Sequence, residues 1–168
     1  IAAASGAAHS TLAASDSVPS GGTAPASKPV YRLGILGSAN IAERALITPA
    51  KQVPEVAVEA IGSRTAERGR EYADKHGIPR ALDYASLVRD PAIDIVYIAL
   101  PVSLHAEWSI RALEAGKHVL CEKPMASNAD EAASVSAAAR RTGRVFMEAY
   151  HYPYHPFARR MRELLDTR

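Results

Sequence analysis

Five short apolar runs recur along the chain from residue 31 onwards, separated by stretches in which apolar residues follow a helical spacing. The runs are YRLGILG (31–37), VAVEAIGS (56–63), DIVYIAL (94–100), HVLCE (118–122) and RVFMEAY (144–150). Most are apolar at consecutive positions, which is typical of strands that helices cover on both faces. A weaker sixth strand is predicted near Ala81 and Leu82, before a helical turn in SLVRD.

Helix start and stop signals lie between these runs. Thr65 is a candidate N-cap for TAERGREYADKHG, which ends at Gly77. Asn128 and Glu131 form a capping-box pattern for the helix DEAASVSAAARRTG, and the helix SLHAEWSIRALEAG ends at Gly116. Strands and helices that alternate with connections this short predict an α/β fold with a doubly wound parallel sheet.

Residues 1–29 differ from the remainder of the chain in composition. They are rich in Ala, Ser, Gly and Pro, are nearly uncharged, and contain few large apolar side chains. Such a segment buries too little surface to offset the chain entropy that folding removes, so a flexible, disordered arm is predicted. It lacks the basic start and continuous apolar segment of a signal peptide, and the folded part is expected to begin near Val30.

Composition and charge narrow the partners that we expect. The chain has 168 residues, enough for one domain, and a formal net charge of +2. Basic residues are interleaved with acidic ones, which argues against nucleic-acid binding, and no apolar run approaches the roughly 20 residues that span a membrane. Cys121 is the single cysteine, so an intrachain disulfide is excluded and a reducing, cytoplasmic location is the expectation.

The first run leads directly into GSANIA (37–42), a G-x-G-x-x-G/A pattern with alanine at its second and third positions. In such a turn the first glycine allows the tight bend, and the N–H groups of the following helix point at a dinucleotide pyrophosphate. Ordinary tight turns also give degenerate patterns, so the dinucleotide prediction depends on the position after the first strand. The predicted cofactor contacts here are Gly37, Ser38, Ala39, Asn40 and Ile41.

The residues at the end of the second apolar run indicate whether the bound dinucleotide is NAD or NADP. An acid here would bind the ribose 2′-hydroxyl of NAD, but Glu59 lies too early and the run ends in Ser63 and Arg64. A guanidinium with neighbouring hydroxyl groups suits a 2′-phosphate, because it pairs with phosphate in a bidentate manner. The sequence therefore favours NADP over NAD, with Arg64 as a solvated residue at a helix start as the alternative.

Five segments follow one another as the signatures of a known family do: LGILGSANIA, SRT, LPVSLHAEW, AGKHVLCEKPMA and MEAYHYPYHP. From Tyr31 to its end, the chain resembles the glucose–fructose oxidoreductase/inositol dehydrogenase (Gfo/Idh/MocA) family. It is most similar to the branch with dihydrodiol dehydrogenase and NADP-dependent xylose dehydrogenase. The resemblance implies a Rossmann NAD(P)-binding domain over residues 30–156 and hydride transfer between NADP and a sugar-like or diol alcohol.

The resemblance assigns catalysis to Lys123 and a contact with the nicotinamide ribose to Glu122. Side chains alternate along a strand, so these two are expected to point in opposite directions rather than to pair. At the carboxyl end of the fifth strand, an ammonium can polarise a carbonyl or help to move an alcohol proton. The Lys123–Pro124 bond is a candidate cis peptide. The alternative is a lysine that faces water at a strand end.

The loop after the fourth strand, PVSLH, is the counterpart of the family's P-N-x-x-H. The resemblance places Leu100, Pro101 and His105 near the cofactor, with Val102 in place of the asparagine. An equally favoured alternative makes His105 an early helix residue that is hydrogen-bonded to a neighbouring loop.

The segment after the sixth strand carries the family's EA-x-x-Y-R-x-H-P pattern. The matching residues are Glu148, Ala149, Tyr152, His155 and Pro156. Pro153 replaces the arginine, which puts that arginine's contact in doubt. His151 and His155 are spaced as a metal pair on a helix, but Pro153 between them argues against a helix, so no metal is predicted.

Family members complete the active site with a second domain that supplies most contacts to substrate. Residues 157–168 are expected to begin the crossover helix towards that domain, and the domain itself is expected to be absent. The chain is then the NADP-binding domain of an oxidoreductase, or alternatively a truncated, non-catalytic NADP(H)-binding module or a half-enzyme that requires a partner chain. A purely structural α/β domain is less favoured. The sequence leaves the substrate and the oligomeric state open.

Overall fold

The structure, a computed structural model, describes residues 30–167, and six parallel strands in it form one sheet in the order β3-β2-β1-β4-β5-β6. The strands are β1 (Tyr31–Leu36), β2 (Val56–Gly62), β3 (Arg80–Leu82), β4 (Ile95–Ile98), β5 (His118–Cys121) and β6 (Phe146–Glu148). Each predicted strand is present, and the doubly wound α/β fold is confirmed. The predicted arm, residues 1–29, lies outside the described residues.

The connections are mainly helical. After β1, α1 (Asn40–Ala42), a π-helical turn (Glu43–Ile47) and α2 (Thr48–Ala50) run on from one another. The other helices are α3 (Ala66–His76), α4 (Tyr84–Arg89), α5 (His105–Glu114), α6 (Ala129–Thr142) and α7 (Pro156–Asp166). Two 3₁₀ turns, Val102–Leu104 and Tyr152–Tyr154, precede α5 and α7. No helix in the part of the chain that the structure describes is long and apolar enough to cross a membrane.

The predicted caps form. The Thr65 hydroxyl accepts a hydrogen bond from the Arg68 N–H at 3.4 Å, and Gly77 ends α3 with φ of +70°. The Asn128 side chain accepts from the Glu131 N–H at 2.9 Å, while the Glu131 carboxylate accepts in return from the Ser127 N–H at 2.8 Å. The bonds from the Arg68 and Glu131 N–H groups satisfy donors that a helix leaves unpaired at its start, whereas Ser127 precedes the N-cap of its helix.

Successive residues of the central strands point to opposite faces of the sheet and pack into two separate hydrophobic cores. Leu36, Val96 and Ile98 pack with α4, α5 and α6 on one face of the sheet. Ile35 and Tyr97 pack with α3 and the helical segment after β1 on the other face. The two cores account for strands that are apolar at consecutive positions, since both faces of the central strands are covered.

The second of these faces is covered less completely than the sequence predicts. An apolar groove lies between the helical segment after β1 and strands β4 to β6, and it is lined by Leu46, Val53 and Met147 among others. Val145 is 61% exposed and Met147 38% exposed. The helix that follows β6, α7, has Phe157 and Leu165 exposed and contributes no residue to the lining of this groove.

A salt bridge joins the entry of β1 to that of β4 and predicts a pH dependence. The Arg32 guanidinium donates to Asp94 Oδ1 at 2.7 Å and lowers the pKa of Asp94 to about 2 from its ordinary value of 3.8. A carboxyl with a depressed folded pKa stabilises the fold above its unfolded pKa, and this stabilisation is lost as the pH falls through the folded pKa.

We therefore expect Asp94→Asn to lower the free energy of unfolding by about 1 kcal/mol at pH 7, a figure reduced for partial exposure. The difference from the unmodified chain should shrink as the pH falls from about 4 towards 2, in urea unfolding followed by circular dichroism. Asp74→Asn is the matched control, because Asp74 is exposed on α3. A difference that stays constant over this pH range would contradict the prediction.

Candidate functional site

The carboxyl ends of the strands meet at one edge of the sheet, where hydrogen bonds one residue beyond each strand keep the tips in register. The N–H groups of Gly37, Ala99, Glu122 and Ala149 donate to the neighbouring strand at 3.0, 2.9, 2.9 and 2.7 Å. The strand order reverses between β1 and β4, and ligands of open α/β sheets bind at such a reversal. The predicted site residues follow these tips.

Gly37 shapes the turn after β1. Its φ is +101°, and a Cβ atom built on it would lie 2.5 Å from the Ala99 carbonyl oxygen and 3.0 Å from Leu100 Cδ2. Glycine is required here both for the backbone conformation and for the close approach of β4. Ala39 has an extended backbone with φ of −97° and gives α1 no side-chain cap, so alanine fits the second glycine position of the motif without strain.

An open cleft of about 200 Å³ lies beside this turn. Its lining residues are Gly37, Ser38, Ala39, Ser63, Arg64, Arg68, Tyr84, Ala99, Leu100, Pro101 and Leu104. The turn after β1 and the end of β2 meet in it, where the Ser38 and Ser63 hydroxyls are 3.5 Å apart. None of the lining residues is acidic, so the cleft presents guanidinium, hydroxyl and apolar groups to a ligand.

The structure brings together seven of the predicted cofactor residues and leaves the others outside the cleft lining. Those in the cleft are Gly37, Ser38, Ala39, Ser63, Arg64, Leu100 and Pro101. Asn40 and Ile41 begin α1 directly after the turn. Glu122 and Lys123 follow β5 farther along the same edge of the sheet, and His105 is buried at the start of α5.

Arg68 and Tyr84 are cleft residues that the sequence interpretation missed. Arg68 lies in the first turn of α3, four residues after Arg64, and both arginines line the cleft. Burial raises the pKa of the Tyr84 phenol, and the positive charges of Arg64 and Arg68 oppose that rise. The nearness of Arg68 to Arg64 in the sequence was a usable signal, whereas Tyr84 is the first residue of α4 and had none.

The two residues after β5 differ in environment as predicted. Glu122 is 8% exposed, and the buried Tyr97 hydroxyl donates to its Oε1 atom. Burial, together with the hydrogen bond to Glu122, raises the pKa of Tyr97, so its phenol stays a donor. Lys123 is exposed, no ion pair joins it to Glu122 within residues 30–167, and the Lys123–Pro124 peptide is cis.

His105 has the contacts expected of an early helix residue that is hydrogen-bonded to a neighbouring loop. Its ring is 1% exposed and lies between two backbone carbonyl groups. Nε2 is 2.8 Å from the Leu100 oxygen and Nδ1 is 2.7 Å from the Pro124 oxygen. His105 thus joins the loop after β4 to the turn after β5, and a direct contact with a cofactor stays a prediction.

His155 has a structural role at the start of α7. Its Nδ1 atom accepts a hydrogen bond from the Phe157 N–H at 3.1 Å, which caps the helix. Among the described residues, no group of three histidine, cysteine, aspartate or glutamate side chains is placed to hold a metal ion.

Comparison with known proteins gives close relatives. The chain is 44% identical over 135 residues to D-xylose 1-dehydrogenase (NADP(+)) 2 of Haloferax volcanii, covering 80% of this chain and 41% of that protein. It is 38% identical over 128 residues to scyllo-inositol 2-dehydrogenase (NADP(+)) of Bacillus subtilis, covering 76% and 39%. The chain thus spans about two fifths of the length of these curated relatives.

A solved structure and a family model agree with these relatives. The 3-ketoreductase KijD10 of Actinomadura kijaniata, in complex with NADP and TDP-benzene, superposes with a TM-score of 0.75 at 37% identity, covering 83% of this chain and 42% of that one. The model of the Gfo/Idh/MocA oxidoreductases with an NAD-binding Rossmann fold matches residues 31–150. The chain therefore belongs to the Gfo/Idh/MocA oxidoreductase family and contains its NAD-binding Rossmann fold.

Proposed function

We propose that residues 30–156 are the NADP-binding domain of an oxidoreductase that transfers hydride between NADP(H) and a sugar-like or diol alcohol or its carbonyl. The observation that carries the proposal is the cleft at the β1–β4 reversal, which combines a glycine that admits no side chain with two guanidinium groups and no acid. This set of groups fits a phosphorylated dinucleotide, since guanidinium binds phosphate and the bare turn lets phosphate approach the backbone.

The preference for NADP over NAD rests on the end of β2. NAD-binding turns place a carboxylate there for the ribose 2′-hydroxyl, and the cleft has Arg64 and Arg68 instead. The relatives from Haloferax volcanii and Bacillus subtilis carry NADP(+) in their names, and KijD10 was solved with NADP. Arg64 and Arg68 bind the 2′-phosphate, with the Ser63 hydroxyl beside them.

The residues proposed to take part in hydride transfer lie at the carboxyl end of β5. Bound NADP(H) donates or accepts the hydride. Lys123 holds a proton at Nζ next to the substrate oxygen, where an ammonium polarises a carbonyl and a neutral amine accepts an alcohol proton. Glu122, held by Tyr97, accepts from the nicotinamide ribose. Polyol or sugar-like substrates are proposed because the named relatives act on xylose and inositol.

The division of the chain follows from this proposal. Residues 157–168, most of which lie in α7, begin the crossover to a substrate domain. That domain, or a complementing chain, supplies the substrate contacts. We propose a reducing, cytoplasmic location, with which a single cysteine, Cys121, agrees.

Parallel titration with NADPH and NADH, followed by cofactor fluorescence, tests the proposal. We expect the dissociation constant for NADPH to be lower than that for NADH by about tenfold or more, as one charge-assisted phosphate contact contributes at least about 1.5 kcal/mol. Adenosine 2′,5′-bisphosphate should displace NADPH. Equal affinities would remove the NADP preference, and no binding of either cofactor would show that these residues do not hold a dinucleotide alone.

A further inference from the structure

Hydrogen bonds hold the backbone of the turn after β5 at three consecutive residues, 123–125. The Lys123 N–H donates to Glu122 Oε2 at 3.3 Å, the Pro124 carbonyl oxygen lies 2.7 Å from His105 Nδ1, and the Met125 N–H donates to Glu148 Oε1 at 2.9 Å. The partners are Glu122, which directly precedes Lys123, His105 at the start of α5 and Glu148 at the end of β6. Two separate elements, α5 and β6, therefore help to fix the backbone of this turn.

Side-chain packing holds only one end of this turn. Lys123 and Pro124 are both exposed, whereas Met125 is half-buried and packs against the core on the α5 face of the sheet. The hydrogen bonds to the backbone therefore position the exposed residues of the turn. By contrast, the Lys123 ammonium makes no hydrogen bond or ion pair within residues 30–167. A fixed backbone that carries a free charged group is the arrangement expected where the group must meet a ligand.

Glu148 makes the shorter of the two carboxylate hydrogen bonds to the backbone of this turn, 2.9 Å against 3.3 Å for Glu122. An ionised carboxylate that accepts from a backbone N–H makes a charge-assisted hydrogen bond, roughly twice as strong as a neutral one. Glu148 is half-buried and is the last residue of β6, whose register against β5 pairs it with Cys121. The register of the sheet thus places Glu148 beside Cys121, which lies two residues before Lys123, the first residue of the turn.

His105 links the same turn to the cofactor cleft. Its second nitrogen faces the carbonyl oxygen of Leu100, a residue of the cleft lining. Both ring nitrogens lie within hydrogen-bond distance of a carbonyl oxygen, so the ring bridges the two backbone segments. A displacement of the cleft wall and a displacement of the Lys123 turn are therefore coupled through one buried ring.

We propose that Glu148 and His105 are positioning residues, which hold the turn 123–125 so that Lys123 faces the cofactor; this inference rests on the proposed function. Glu148 acts on the turn alone, whereas His105 acts on the turn and on the cleft wall. Removal of Glu148 should therefore disturb the nicotinamide end of a bound dinucleotide and leave its adenosine end in place.

The test compares Glu148→Ala, Glu148→Gln and the control Glu107→Ala, which removes an exposed carboxylate paired with Arg111. In Glu148→Ala we expect the Met125 amide to exchange hydrogen about tenfold faster and NADPH to bind about 3- to 10-fold more weakly, the loss of one hydrogen bond. Affinity for adenosine 2′,5′-bisphosphate should not change. Glu148→Gln retains an acceptor oxygen and should restore most of the NADPH affinity and the nicotinamide emission spectrum.

An unchanged Met125 exchange rate in Glu148→Ala, or an equal loss of affinity for both ligands, would overturn the inference. Failure of wild-type chain to bind either ligand would overturn the proposed function, while the Met125 exchange rate would still decide whether Glu148 fastens the turn. If Glu148→Ala does not fold, Glu148→Asp serves in its place, because its shorter side chain withdraws the carboxylate from Met125. Unaltered Met125 exchange in that variant would equally refute the role of Glu148.

Discussion

Replacing Arg64 with alanine should lower the affinity of this chain for NADPH by about 10- to 100-fold and leave its affinity for NADH nearly unchanged. A charge-assisted hydrogen bond between guanidinium and phosphate contributes about 1.5–3 kcal/mol, and NADH has no 2′-phosphate with which to make it. Arg64 is exposed at the rim of the cleft and caps no helix, so its removal should not alter the fold.

Arg68 provides an internal comparison for this effect. It stands at the same rim, so Arg68→Ala should also weaken NADPH selectively, and the double variant should bind NADPH and NADH with similar affinity. The matched control is Arg70→Ala, since Arg70 is exposed on the same helix and does not line the cleft. Fluorescence titrations at one fixed salt concentration measure all four chains, because phosphate contacts weaken with added salt.

Two outcomes would contradict the assignment of Arg64. An equal loss of NADPH and NADH affinity would mean that Arg64 supports the cleft generally rather than the 2′-phosphate. An Arg64→Ala chain that binds NADPH as tightly as the unmodified chain would leave Arg64 as a solvated residue at the start of α3, the alternative that the sequence left open.

The sheet could be predicted from the sequence because its determinants are local. Each central strand is a short, continuously apolar run, and Thr65 and Gly77 mark the start and end of α3. The start of α5 was less accurately predicted: Pro101 and the 3₁₀ turn after it delay the helix until His105. Even β3, three residues long, was visible because a helical turn followed it.

The sequence predicted those site residues whose chemical type and position after a strand indicate a role. It did not predict residues that only the folding of the chain brings to the site. Gly37, Arg64 and Lys123 follow strand ends, and parallel strands bring their carboxyl ends to one edge. Tyr84 reaches the cleft from the start of α4, which no spacing along the chain reveals. The bond from the Met125 N–H to Glu148 joins a backbone atom to a side chain, and its backbone partner leaves no residue-type signal.

Gly37→Ala should lower the free energy of unfolding by about 3 kcal/mol and abolish measurable dinucleotide binding. Part of the loss is backbone strain, because an L-residue at positive φ costs about 1–2 kcal/mol. The remainder comes from overlap, since the added methyl would lie 2.5 Å from the Ala99 carbonyl oxygen and force β4 away from β1. That displacement would occur in the floor of the cleft, where Gly37 and Ala99 are both lining residues.

The variant Gly77→Ala separates the contribution of backbone strain from that of steric overlap. Gly77 also has positive φ, +70°, but a Cβ atom there would meet nothing within 4 Å, so this variant should lose about 1 kcal/mol and bind cofactor normally. Urea unfolding followed by circular dichroism gives both free energies, and NADPH titration gives the binding. Equal destabilisation of the two variants would show that backbone conformation alone requires glycine at position 37. In that case the close approach of β4 would have no part in forming the cleft.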